Sequence, residues 1–221
     1  MNLSWRQVIR FFILLLSPII VECIAIAIAY GVDSLPFFDW YWRYTYWYYR
    51  AFVLWLTMAL VVLFLTWPYR RWIADLPLGN LKNFSSFWLA IGVAILLCLT
   101  FYGFGILYFT PSEHMLAEYD SASLWIYLSF ILFPPVINEI IFRGMLLNAF
   151  KSEYPWTLWI GTFITASIFA GVSMEEPYIS NFVQNFILGI LLTIARIRSG
   201  GLLLPILLSI EAALIAVILI S

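Results

Sequence analysis

Long apolar runs dominate the chain, separated at short intervals by clusters of charged and turn-forming residues. A helix crossing the hydrocarbon core of a bilayer needs about 20 mostly apolar residues. Seven runs approach or exceed that length: Phe11–Tyr30, Ala51–Trp67, Phe87–Phe109, Leu124–Ala149, Trp156–Met174, Asn181–Ile197 and Leu202–Ile220. None shows the period-two alternation of a barrel strand, so helices are predicted. The expected fold is an all-α polytopic transmembrane bundle of about seven spans. Residues 1–221 then form a single membrane domain. Within it, residues 1–110 make a three-span part with an outer aromatic loop at 33–50, and residues 124–220 make a four-span core.

Composition narrows the class. Hydrophobic residues make up 64% of the 221 residues and charged residues 10%, against about 45–50% and about 25% in a soluble globule. Too few charges remain to build a water-facing surface. With 11 basic and 12 acidic residues and a net charge of −1, a basic nucleic-acid face is excluded as well. The bilayer is the expected environment. The basic residues orient the bundle in it: with a cytoplasmic N-terminus, nine of the eleven fall inside and Arg43 and Arg50 fall outside. Acids collect outside, at Asp33, Asp39, Glu113, Glu118, Asp120, Glu175 and Glu176. The C-terminus is then outside, and a bacterial or archaeal cytoplasmic membrane is the expected location. Arg6 and Arg10 before an apolar run ending AIAIAY resemble a signal peptide, but Pro18, Glu22 and the run's length favour a retained helix. Cys23 and Cys98 both lie in apolar runs and are expected to be small buried hydrophobes rather than a disulfide or metal site. The stretch FFDWYWRYTYWYYR, Phe37 to Arg50, suits an interfacial anchor, or else a docking platform.

Three carboxyls fall inside the runs: Glu22, Glu139 and Glu211. Each costs about 2.5 kcal/mol or more at mid-membrane unless paired, neutralised or facing a cavity. Glu139 and Arg143, four residues apart, are expected to pair. Glu211 has no basic residue at its depth and is expected to be protonated or bonded to a neighbouring helix, such as the one carrying Glu22 or Ser17. The fourth run is 26 residues, about 39 Å as a helix. Pro134–Pro135 are expected to break it one turn before Asn138, Glu139 and Arg143, freeing carbonyls into a polar cavity.

At these residues the chain resembles a known family. PPVINEIIFRGMLLNAF is similar to the first motif, EExxxR, of the CAAX prenyl protease and bacteriocin-processing (CPBP, or abortive-infection) intramembrane endopeptidases. Glu139, Phe142, Arg143 and Gly144 match, and Asn138 stands for the first Glu. ASIFAGVSM resembles the second motif, FxxxH, with Phe169 in place and Ser173 for His. FILGILLTIARIRSGGLLLPILLSIEAAL follows the third region through Gly189, Arg198, Gly200 and Pro205, with Ser209 at the His position and Ala213 at the Asn position. The resemblance covers about residues 124–220. It implies a glutamate and a histidine activating water, and a second histidine and an asparagine stabilising the oxyanion.

All four of those positions are replaced here. An amide is no general base, and a hydroxyl does not do the work of imidazole. The one histidine, His114, lies in a predicted outer loop beside Glu113. No cofactor or metal is expected, since the core offers at most Glu139 and Glu211 as ligands. Three functions stay open. The first is a pseudoprotease that binds a membrane segment or partner for regulation, peptide maturation or immunity. The second is an active endopeptidase with a site rearranged around Glu139. The third is an accessory subunit of a transporter or envelope complex, favoured by the aromatic loop. The cavity candidates are Asn138, Glu139, Arg143, Ser173, Ser209, Glu211 and Glu22, and a membrane protein or peptide is the expected partner.

Overall fold

The computed structural model describes residues 5–34, 47–81, 85–104, 123–152, 154–173 and 179–220. Among them the chain forms seven helices: α1 Trp5–Asp33, α2 Trp47–Trp72, α3 Ser85–Phe104, α4 Ser123–Asn138, α5 Pro155–Val172, α6 Ile179–Ser199 and α7 Leu203–Ile220. Each covers one of the apolar runs. By length and composition, four stretches can cross a membrane: Gln7–Asp33, Phe52–Trp72, Ile131–Phe150 and Ile179–Ser199. The apolar helical stretches Trp88–Tyr102, Trp156–Val172 and Leu203–Leu219 are shorter. His114, Met174, most of the aromatic loop and the acids from Asp39 to Glu176 named above, Glu139 excepted, lie outside the described residues.

The centre of the bundle is the continuation of α4. After Asn138 the chain widens into a π turn, Glu139–Met145, and then tightens into a 3₁₀ segment, Leu146–Phe150. Every residue of the π turn is buried, as befits an element enclosed on all sides. It contacts α1, α5, α6 and α7, while α4 itself lies between α2 and α7. Helix α1 packs on α2, α5 on α6, and α3 on α6 and α7. The expected break at Pro134–Pro135 is corrected: both prolines sit within α-helix, and the departure from α geometry comes one turn later, on the site residues themselves. A π turn tolerates the extra residue where neighbours satisfy the carbonyls it frees. Cys23 is also corrected. It is exposed on α1, on a face turned away from the core, while Cys98 is half-buried and both thiols are free.

Helix α5 is offset along its axis relative to α4. Gly161, not the first residues of α5, lies level with Phe150: a Cβ on Gly161 would stand 2.5 Å from the Phe150 Cβ. The first turn and a half of α5 therefore extends past the end of α4.

One end of the bundle is closed by backbone. The segment after α2 runs across the turn between α6 and α7, with hydrogen bonds Asn80 N to Ser199 O, Leu202 N to Pro77 O and Leu203 N to Leu78 O, each 3.0 Å. The crossing point is Gly79 on Gly201. A Cβ on Gly79 would fall 2.5 Å from the Gly201 Cα, and its φ of +79° also favours glycine. Asn148 Nδ2 donates to Asp75 O at 3.3 Å at the same end, and Phe11 stacks edge-on against Phe150. Arg10, Arg70, Arg71, Lys151, Arg196 and Arg198 therefore gather at this end.

Candidate active site

Glu139 and Arg143 face the same way along the π turn. Arg143 Nη1 donates to Glu139 Oε1 at 3.0 Å, with the side chains 1% and 0% exposed. Arg143 Nη2 donates to Gly189 O on α6 at 3.3 Å. Its guanidinium lies over the Phe169 ring of α5, 4.3 Å from the centroid, and Phe169 meets Phe142 edge-on at 5.5 Å. Gly189 is needed for this closeness, because a Cβ there would stand 3.1 Å from Ala166 and 3.2 Å from Phe169. The residues shared with the first two motifs thus form one contact cluster built on a buried ion pair. Such a pair is held in place because losing either partner leaves the other charge unpaired in a medium that does not solvate it.

The carbonyls freed by the π turn are taken up at its lower end. Arg196 Nε donates to Arg143 O at 3.3 Å, and the Tyr69 hydroxyl donates to Met145 O at 3.4 Å. Both donors come from other helices, so the π turn is fastened to α6 and α2 at once.

The ladder of contacts also sets the depth of the remaining positions. Arg143 meets Phe169 while Phe150, seven residues on, meets Gly161, eight residues before Phe169, so the two contacts agree on one antiparallel register. One turn further, Ser173, the residue that caps α5, meets Asn185 on α6. Asn185 Nδ2 donates to Ser173 O at 3.3 Å. Helix α5 runs through Gly171 to Val172, and the Ser173 N–H donates to Phe169 O at 2.9 Å. Ser209, on α7, lies beside the Glu139 carboxyl. Three oxygens, Glu139 Oε2, Asn185 Oδ1 and Ser209 Oγ, are enclosed without a hydrogen-bond partner among the described residues. Glu139 Oε2, when ionised, and Asn185 Oδ1 can only accept, whereas Ser209 Oγ can also donate.

Other candidates fall elsewhere. Asn138 is half-buried at the junction of α4 with the π turn and caps nothing with its side chain. Ala213, one turn beyond Ser209, is buried and apolar. Glu211 is half-buried on α7 and Glu22 half-buried on α1. These two helices share the π turn as a neighbour and otherwise pack on different elements, and the Ser17 hydroxyl donates to Leu14 O of its own helix. Neither carboxyl joins the Glu139 cluster by a hydrogen bond or ion pair among the described residues. Reading the sequence missed Asn185 and Arg196. The signal was present: Asn185, Gly189, Thr193 and Arg196 form a stripe of polar and small residues at helical spacing, and all four are buried.

The profile of the type II CAAX prenyl endopeptidase Rce1-like family matches residues 120–210. That stretch holds Asn138, Glu139, Arg143, Phe169, Ser173, Asn185 and Ser209, and ends before Glu211 and Ala213. An Escherichia coli protein described as an uncharacterized 24.3 kDa protein is 35% identical over 161 residues, covering 70% of this chain and 73% of that protein. The chain belongs to the CAAX prenyl endopeptidase family. No solved structure matches it. Within the family pattern, the pieces retained here are those that build the ion-pair cluster.

Proposed function

We propose that this family member is a pseudoprotease of a bacterial or archaeal cytoplasmic membrane. On this reading seven helices span the bilayer with the N-terminus inside and the C-terminus outside. The family bundle is kept in order to bind a membrane segment or partner protein, in regulation, peptide maturation or immunity. The observation that carries the reading is the state of Glu139. Its carboxyl is fully buried, one oxygen is committed to Arg143, and Ser209 stands beside it. A general base has to reach a water poised on substrate, and the oxyanion needs donors aimed at it. The positions where the family carries those groups hold Asn138, Ser173, Ser209 and Ala213.

A second reading, an endopeptidase with a rearranged site, is favoured by one feature: the Ser209 hydroxyl beside the Glu139 carboxyl. One experiment separates the two. Detergent-purified protein is incubated with membrane-anchored peptides, prenylated and unprenylated, beside the Glu139→Gln variant. The expected result is no cleavage by either. Cleavage by wild type that Glu139→Gln abolishes would overturn the pseudoprotease reading. For the binding role, a photo-crosslinking residue at Ser173 is expected to capture a polypeptide in native membranes, and capture of lipid alone would refute that role.

A further inference from the structure

Arg196 is 8% exposed, and its single hydrogen bond among the described residues runs from Nε to the Arg143 carbonyl. It has no carboxylate partner there. A guanidinium carries five N–H donors in a planar fork, so four donors on the two Nη nitrogens remain. Unlike the oxygens around Glu139, these nitrogens are not enclosed. They stay reachable through the small opening that the residual exposure reports. A cation buried to this extent is costly without a counter-charge. Arg10, Arg70, Arg71, Lys151 and Arg198 share this end of the bundle, and Asp75, exposed, is the one described carboxylate there. Arg71 is turned onto the Trp67 ring at 5.8 Å.

We propose that Arg196 is an anion subsite that takes a phosphate group through its two Nη nitrogens. The fork geometry suits two oxygens of one phosphate, and the surrounding cations raise the local anion concentration. Arg196 is three residues from the end of α6, next to the backbone clasp that closes the bundle. With this end at the inner headgroup layer, as the proposed orientation has it, the phosphate of an anionic lipid is at hand. A soluble phosphate offers the same chemistry. Occupation of the site would tie the lower end of α6 and the Arg143 carbonyl to whatever binds there.

The test uses the full chain in non-ionic detergent. Native mass spectrometry follows titration with phosphatidylglycerol or phosphatidylcholine, and a thermal-shift series follows inorganic phosphate. Wild type is expected to hold phosphatidylglycerol at least about tenfold more tightly than phosphatidylcholine. Arg196→Gln, which keeps a donor for the Arg143 carbonyl, is expected to lose that preference, and the exposed-site control Arg198→Gln to keep it. Stabilisation by inorganic phosphate without lipid preference supports the site and assigns it to a soluble anion. It does so independently of the membrane orientation. Wild type showing neither effect overturns the proposal without recourse to a variant, and so does an unchanged preference in Arg196→Gln.

Discussion

Replacing Arg143 by leucine tests whether the Glu139–Arg143 pair organises the bundle. The substitution removes the 3.0 Å ion pair, the 3.3 Å bond to Gly189 O and the cation over Phe169 at 4.3 Å. Glu139, 0% exposed, is left with a buried and unpaired carboxyl. Breaking a buried pair from one side costs about 3–5 kcal/mol, and the lost stacking adds about 1 kcal/mol. A total of about 4–6 kcal/mol would unfold many domains of this size. Glu139→Leu/Arg143→Leu removes both charges and puts apolar groups in their place. It is expected to lie within about 2 kcal/mol of wild type, the Gly189 carbonyl still being served by Thr193 Oγ1 at 2.8 Å. The coupling between the two sites is then several kcal/mol and favourable. The assay is reversible unfolding in mixed detergent micelles, followed by the fluorescence of the chain's tryptophans, for wild type, both single variants and the double. The reasoning is refuted if Arg143→Leu costs under about 1 kcal/mol, or if the double variant is as unstable as the two singles added together.

Three further outcomes follow from the same geometry. Gly201→Ala sets a Cβ onto the Gly79 nitrogen and the Leu78 carbonyl. It should cost about 3 kcal/mol through loss of the three clasp hydrogen bonds, and the amides of Leu202 and Leu203 should exchange faster with deuterium. Gly200→Ala, with φ +66° but open space around it, should cost about 1 kcal/mol, and equal losses at the two glycines would exclude the clasp. Ser209→Ala removes an enclosed hydroxyl that makes no hydrogen bond among the described residues. Its unfolding midpoint should be unchanged or raised, by up to about 1 kcal/mol, and a clear loss would mean that the hydroxyl is bonded. Phe169→Leu should cost about 1–2 kcal/mol in wild type and less in Arg143→Leu, since the ring's cation is then already gone. Purely additive losses in the micelle assay would count against stacking as the link.

The Glu139–Arg143 pair was legible because it needs only one helix's geometry, and the π turn preserves the side-by-side placement. The kink was misplaced because prolines mark where hydrogen bonds are missing, whereas the neighbouring helices decide where the chain absorbs the change. Arg196 and Tyr69 supply donors to the Arg143 and Met145 carbonyls, and neither is close to them in sequence. The depth of Ser173 is not legible from span ends, because counting from them assumes that helices start level. The contact of Gly161 with Phe150 shows that they do not. Asn185 went unnoticed because the sequence does not distinguish it from Asn181 and Gln184 beside it; only its contact with Ser173 singles it out.

The sequence by itself determined the seven apolar helices and the pairing of Glu139 with Arg143. Each of these depends on composition or on spacing within a single segment. Tertiary structure alone decided which positions share a level, which carbonyls find donors, and where two backbones touch at Gly79 and Gly201. Those outcomes follow from register between helices, set by small residues that let particular turns approach. Register is a sum of contacts between segments far apart in the chain, and no single segment carries it.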